Sequence, residues 1–167
     1  MAIKQERSLD MQIQKFTWQQ ITKLTKKLSL KIKKDFKPEI IVAIQRGGFI
    51  PAVYLSHLLN VRDIRPLYIQ RTKDERIMAK KIKPIVKYTS LLKDTYRKNV
   101  LIVDDIVGSG ESIMIAKKMV TLQNPKSTKT ATILVNDDNF DKTKNKPFID
   151  YVAKRIRAWA IFPWEEN

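Results

Sequence analysis

Two short stretches of this 167-residue chain bring together residue types that handle phosphate and sugar groups. The first is Asp104-Asp105-Ile106-Val107-Gly108-Ser109-Gly110-Glu111-Ser112. Two adjacent acids precede a turn of small residues, and a helical pattern follows. Gly108 and Gly110 can adopt positive φ and let backbone amides converge. Ser109 and Ser112 add hydroxyl donors, and the N-terminus of the next helix favours an anion. That set suits a phosphomonoester. The acids suit sugar hydroxyls or Mg²⁺, bound directly or through water. The second stretch is Gln45-Arg46-Gly47-Gly48. Its glycines allow close backbone approach, the amides of a tight turn form an anion nest, and Arg46 offers a fork of donors matched to phosphate oxygens. Acids beside a phosphate turn point to a sugar phosphate. The dinucleotide glycine fingerprint and the triphosphatase loop ending in Gly-Lys-Ser/Thr are both missing.

Positioning these loops falls to short, continuous apolar runs at Ile40–Ile44, Val100–Val103 and Ala131–Val135. Such runs predict strands covered on both faces, as in a parallel sheet. Pro66–Gln70 is a further strand. Thr17-Trp18-Gln19-Gln20 has the capping-box form, and Ile21, Leu24, Leu28 and Ile32 continue as one apolar stripe. Pro51 suits a first helical position, with Ala52, Leu55, Leu58 and Leu59 as a packing face. A helix over 111–123 follows from Ile113, Ala116 and Val120. Strand and helix alternate, so the chain is expected to be one α/β domain over 1–167 with right-handed crossovers. Both loops then fall at carboxyl ends of strands, where open α/β sheets bind ligands. Residues 1–16 read as a polar lead-in and 71–98 as a long basic loop, a common form of active-site lid. Asp137–Lys146 reads as a polar loop, and Phe148–Val152 and Trp159–Phe162 as closing strands.

The formal charge of +16 arises from 33 basic and 17 acidic residues. It fits nucleic acid, a polyanionic small molecule or simply solvated lysine faces, and the last accounts for most of it. No apolar run approaches the length that spans a bilayer. No apolar stretch follows Lys4, Glu6 and Arg7, so a secretory signal is not expected. With no cysteine there is no disulfide, thiolate metal site or cysteine nucleophile. A cytoplasmic setting is the expectation. The lone His57, on the 51–59 helix, reads as structural.

The string at 100–112 resembles the PRPP-binding signature of type I phosphoribosyltransferases. Thr17-Trp18, Arg46-Gly47-Gly48, Asp150-Tyr151-Val152 and Trp159…Phe162-Pro163-Trp164-Glu165 further resemble the small xanthine–guanine/hypoxanthine branch. The likeness covers roughly 17–165. It implies an α/β fold with a central, mainly parallel sheet flanked by helices and a basic flexible hood. It implies a pentosyltransferase that converts PRPP and a purine base to a purine nucleotide and pyrophosphate with Mg²⁺. Asp104 and Asp105 would hold the ribose hydroxyls and the metal, and Gly108, Ser109, Gly110, Glu111 and Ser112 the 5′-phosphate. Gln45, Arg46, Gly47 and Gly48 would hold pyrophosphate, with a cis peptide expected at Gln45–Arg46. Arg71, Lys73 and Arg76 are hood candidates. Asn136, Trp159 and Ala160 would meet the base, Trp159 by stacking. A homodimer or larger homo-oligomer is implied, with no membrane or nucleic-acid partner.

Two positions depart from that branch. Gly108 stands where it usually has an aspartate facing N7 of the base, and Asn136 where it has a lysine donating to O6. An asparagine amide serves a 6-oxo or a 6-amino group, and Asp137 and Asp138 tilt the reading toward the amino group. The identity of the purine is left open. A PRPP-sensing regulator or nucleic-acid-binding protein on the same fold is the alternative that Gly108 raises.

Overall fold

In the computed structural model, residues 12–72, 81–141 and 147–165 are described. The elements in chain order are β1 (Ile13–Lys15), α1 (Trp18–Lys33), β2 (Ile40–Gln45), α2 (Phe49–Leu59), β3 (Asp63–Thr72) and β4 (Lys81–Lys87). A 3₁₀ segment (Thr89–Thr95), β5 (Asn99–Val107), α3 (Glu111–Thr121), β6 (Ser127–Asn136), the one-turn α4 (Asp137–Phe140), β7 (Tyr151–Ile156) and β8 (Trp159–Ile161) follow. Six strands form a sheet in the order β4-β3-β2-β5-β6-β7, and β1 pairs with β8 in a separate ribbon. Only the β3–β4 pair of the large sheet is antiparallel.

The three apolar runs lie at the centre of this sheet because both of its faces are covered. Ile40, Val42 and Ile44 point to the side packed by Ile113, Ala116 and Val120 of α3. Ile41 and Ala43, one residue out of phase, meet Leu28 and Ile32 of α1 and Leu55 of α2. This period of two with apolar residues in both phases is what a buried parallel strand requires. α1 starts where its capping box predicts: Gln20 N–H donates to Thr17 Oγ1 at 3.2 Å, and Thr17 N–H donates to Gln20 Oε1 at 2.9 Å. A third apolar cluster joins Phe16, Ile133, Ile156, Ala160 and Phe162, seating the β1–β8 ribbon against the end of the sheet.

Several expectations need correction. The lead-in is not all polar coil: β1 pairs Ile13–Lys15 with Trp159–Ile161, and Phe16 is buried. The 71–98 stretch is not one loop, since β3 runs to Thr72, β4 returns along it, and the 3₁₀ segment carries the buried Leu92. β4 is an edge strand, which is why it tolerates Pro84 and a lysine-rich composition. Pro66 is tolerated in β3 because β4 pairs only from Tyr68 onward. Pro51 is the third residue of α2, not the first. Residues 137–140 form a helical turn rather than loop, and the strand expected at 148–152 runs over 151–156.

Candidate active site

The chain fills the sheet outward from β2, first through β3 to β4, then from β5 to β7. β2 and β5 are therefore neighbours whose connections leave in opposite directions, and a crevice opens beyond their carboxyl ends. Both chemical loops lie there. Gln45 ends β2, and Asp104 to Val107 end β5.

The loops touch. A Cβ placed on Gly47 would sit 1.8 Å from Asp105 Oδ2, and one on Gly48 would sit 2.5 Å from the Ile44 carbonyl oxygen and 2.7 Å from that of Val103. Only glycine lets the second loop lie this close to the acid pair. The peptide bond Gln45–Arg46 is cis, as expected. Arg46 is exposed and Gln45 half-buried at the rim.

Asp104 and Asp105 are each only 9% exposed. Burial pushes the Asp104 carboxyl well above the ordinary range, and the like charge of Asp105 adds to it. Burial also raises Asp105, to about 6; hydrogen bonding from the Ile106 N–H opposes this, and the negative charge of Glu165 reinforces it. Ile106 N–H donates to Asp105 Oδ1 at 2.8 Å, and Thr132 Oγ1 donates to the Asp105 carbonyl at 3.1 Å. The pair is fixed in place but poorly solvated, a state relieved by a cation or by donor hydroxyls. Among the described residues no three acids or histidines converge as a metal cage. Two carboxylates completed by substrate oxygens is how Mg²⁺ is commonly held, so the donor set fits that ion.

A cavity of about 70 Å³ opens beside the pair, lined by Asp104 and residues 106–113. A larger depression of about 370 Å³, lined by Thr89, Ser90, Lys93, Met119, Leu122 and Gln123, lies away from both loops. Gly110 has φ +82 and ends the turn as the N-cap of α3, and a Cβ there would meet Pro147 Cγ at 2.2 Å. Ser109 Oγ donates to Glu111 Oε2 at 3.2 Å, and Ser112 lies in the first turn of α3.

On the far side of this loop Asn136 ends β6, 6% exposed. Its Nδ2 donates to the Ala158 carbonyl at 2.9 Å, and its Oδ1 accepts from Asp138 N–H at 3.0 Å. Asn136 thus ties the end of β6 to the residue before Trp159. Trp159 is half-buried and its N–H donates to the Gln12 carbonyl at 2.7 Å, while Ala160 is buried. The acids beside Asn136 face arginines: Asp137 pairs with Arg155, and Asp138 and Asp141 pair with Arg157. Of the hood candidates, Arg71 falls in β3, while Lys73 and Arg76 lie outside the described residues.

Sequence reading missed the electrostatic part of Glu165, whose Oε2 accepts from Phe162 N–H at 2.9 Å. It also missed Asn139 and Pro147, which stand over Gly108 and Gly110. Both rest on contacts between segments roughly 30 residues or more apart, which no local pattern encodes.

Two glycine-bearing loops thus meet around a buried acid pair at the switch point of a mainly parallel α/β sheet. Residues 12–167 match the phosphoribosyl transferase domain family, and the chain belongs to it. It is similar to a xanthine-guanine phosphoribosyltransferase of Gluconobacter oxydans (strain 621H), 28% identical over 152 residues, covering 89% of this chain and 82% of that protein. A second xanthine-guanine phosphoribosyltransferase, from Nitratidesulfovibrio vulgaris (strain DP4), is 23% identical over 154 residues, covering 90% of this chain and 83% of its own length. The crystal structure of a purine phosphoribosyltransferase from Pyrococcus horikoshii Ot3 superposes with a TM-score of 0.75 at 28% identity, covering 94% of this chain and 97% of the other. The fold is accordingly that of the type I phosphoribosyltransferases. Among the described residues no helix is long and apolar enough to cross a membrane.

Proposed function

We propose that the protein is a purine phosphoribosyltransferase, joining a purine base to the 5-phosphoribosyl group of PRPP with release of pyrophosphate. The observation that carries this reading is the contact between the Arg46–Gly48 loop and the buried Asp104–Asp105 pair. One ribose diphosphorylated at C1 and monophosphorylated at C5 matches both loops at once. Asp104 and Asp105 accept from the 2′- and 3′-hydroxyls, the amides and hydroxyls of 108–112 hold the 5′-phosphate, and Gln45–Gly48 hold the pyrophosphate. Glu111 contributes its backbone N–H, because its carboxylate would repel phosphate. Arg46 stabilises charge on the departing pyrophosphate while C1 develops oxocarbenium character and a purine nitrogen attacks. Trp159 stacks on the base, and the Ala160 backbone lies along its edge. Mg²⁺ at Asp104 and Asp105 would supply charge neutralisation for the pyrophosphate.

Hood groups Arg71, Lys73 and Arg76 are proposed to exclude water from the reacting carbon. The reading includes a cytoplasmic location and a homodimer or larger homo-oligomer. α2 supports self-association, for it carries no Asp, Glu, Lys or Arg and exposes Ile50 and Val53. The test is to mix the protein with PRPP, Mg²⁺ and each of adenine, hypoxanthine, guanine and xanthine. Nucleotide from at least one base is expected. No product from any of the four, with PRPP still bound, would favour a PRPP-sensing regulator instead.

A further inference from the structure

This inference rests on the proposed phosphoribosyl transfer and concerns how the base is read. In a β-nucleotide the base and the 5′-carbon share one face of the ribose. In the anti conformer the C8–N7 edge of a purine lies toward the 5′-phosphate. With the phosphate held by 108–112 and the diol by Asp104 and Asp105, the N7 edge arrives at the entry of the phosphate loop. Gly108 stands there and offers no side chain.

Asn139 stands opposite. A Cβ on Gly108 would lie 3.8 Å from Asn139 Cβ and 3.9 Å from Asn139 Nδ2, ordinary van der Waals contact. The carboxamide therefore borders the space that a side chain at 108 would enter. It is carried by α4, a four-residue helix that would not hold its shape alone. Several ties from elsewhere hold it. Asn136 caps its start, Asp137 pairs with Arg155, and Asp138 and Asp141 pair with Arg157. Phe140 is buried beneath Arg155, whose guanidinium lies 5.3 Å from the ring centroid. The turn, tied to Arg155 and Arg157 and anchored by buried Phe140, carries Asn139 on its exposed side.

The chemistry of the group suits the place. A carboxamide offers two donors and an acceptor, and the unprotonated N7 of a purine nucleotide is an acceptor. Being neutral, it adds no charge beside Asp104, Asp105 and Glu111. We propose that Asn139 is a specificity-determining residue that donates to N7 of the bound purine, taking the place of a side chain on the phosphate loop.

Equilibrium binding of AMP, IMP, GMP and XMP identifies the preferred nucleotide, which is then compared with its 7-deaza counterpart. The full-length protein is expected to prefer the natural nucleotide by about 3- to 10-fold, the value of one hydrogen bond. Asn139→Ala is expected to remove the preference, and Asn139→Asp, an acceptor only, to reverse it. Circular dichroism melts of both variants verify the fold. Equal binding of the two nucleotides by the unmodified protein, or a preference that survives Asn139→Ala, overturns the role of Asn139. Failure of every nucleotide to bind overturns the phosphoribosyl-transfer reading and this one with it.

Discussion

Replacing Asp105 by asparagine should make the ligand-free protein more stable while destroying its activity. The side chain is 9% exposed, and burial raises its carboxyl from 3.8 to about 6. A carboxyl raised in the folded state adds its full stabilisation below the unfolded value and loses it as pH climbs through the folded value. For Asp105 that window runs from about pH 4 to about pH 6. At pH 7 the ionised side chain therefore holds back about 3 kcal/mol of stability. Asparagine keeps the oxygen that accepts from Ile106 N–H and never ionises. It also removes the like charge that raises Asp104. Urea unfolding of both proteins should show the variant ahead by about 1–3 kcal/mol at pH 7, with the gap closing toward pH 4. In the same samples, Mg²⁺ with PRPP should raise the melting temperature of the parent but not of the variant. A variant no more stable than the parent at pH 7, or a gap that does not change with pH, would refute the reasoning.

The Asp150 side chain is 6% exposed; desolvation acts to raise it, but hydrogen bonds from Lys129 and Thr130 outweigh that and its carboxyl lies below the ordinary value. Asp150→Ala should cost about 2–4 kcal/mol in urea unfolding, with KM for PRPP and base unchanged. Gly48→Ala should destabilise by about 1–3 kcal/mol or more, because its methyl meets two backbone carbonyls. Gly47→Ala, whose methyl would fall on the Asp105 carboxylate, should lower the melting temperature and abolish transfer activity, read by a thermal melt and a nucleotide-formation assay. Trp159→Ala should raise KM for the base about tenfold and leave KM for PRPP within twofold, as stacking is worth about 1–3 kcal/mol; steady-state kinetics in both substrates will tell.

The central strands were legible because a strand buried on both faces leaves an unbroken apolar run, as at Ile40–Ile44 and Val100–Val103. The capping box at Thr17 and the stripe from Ile21 to Ile32 were equally plain, since both signals are local. β4 was not, because an edge strand is protected by the very lysines and proline that make it read as loop. β1 is three residues long and is defined only by its partner near the other end of the chain. At the candidate site, the 104–112 loop and its acid pair stand out through residue type. The position of Asn136 was readable, but its bonds to Ala158 and Asp138 were not. Likewise Asp137 and Asp138 show their arginine partners only once β7 is laid beside β6.

The ribbon of β1 and β8 has a consequence for how such a protein can change. The proposed base contacts hang on the two ends of the chain: Trp159 is bonded to Gln12, and Ala160 is packed with Phe16 and Phe162. The proposed sugar-phosphate contacts instead grow from β2 and β5 in the middle of the sheet. Substitutions that retune the base half thus fall beside the small cluster around Phe16 and Phe162 and leave the central strands β2 and β5 alone. Laboratory selection for a new base should gather its changes in 12–18, 136–141 and 158–165, and a tag or truncation that disturbs residue 12 should alter base choice before it alters PRPP affinity.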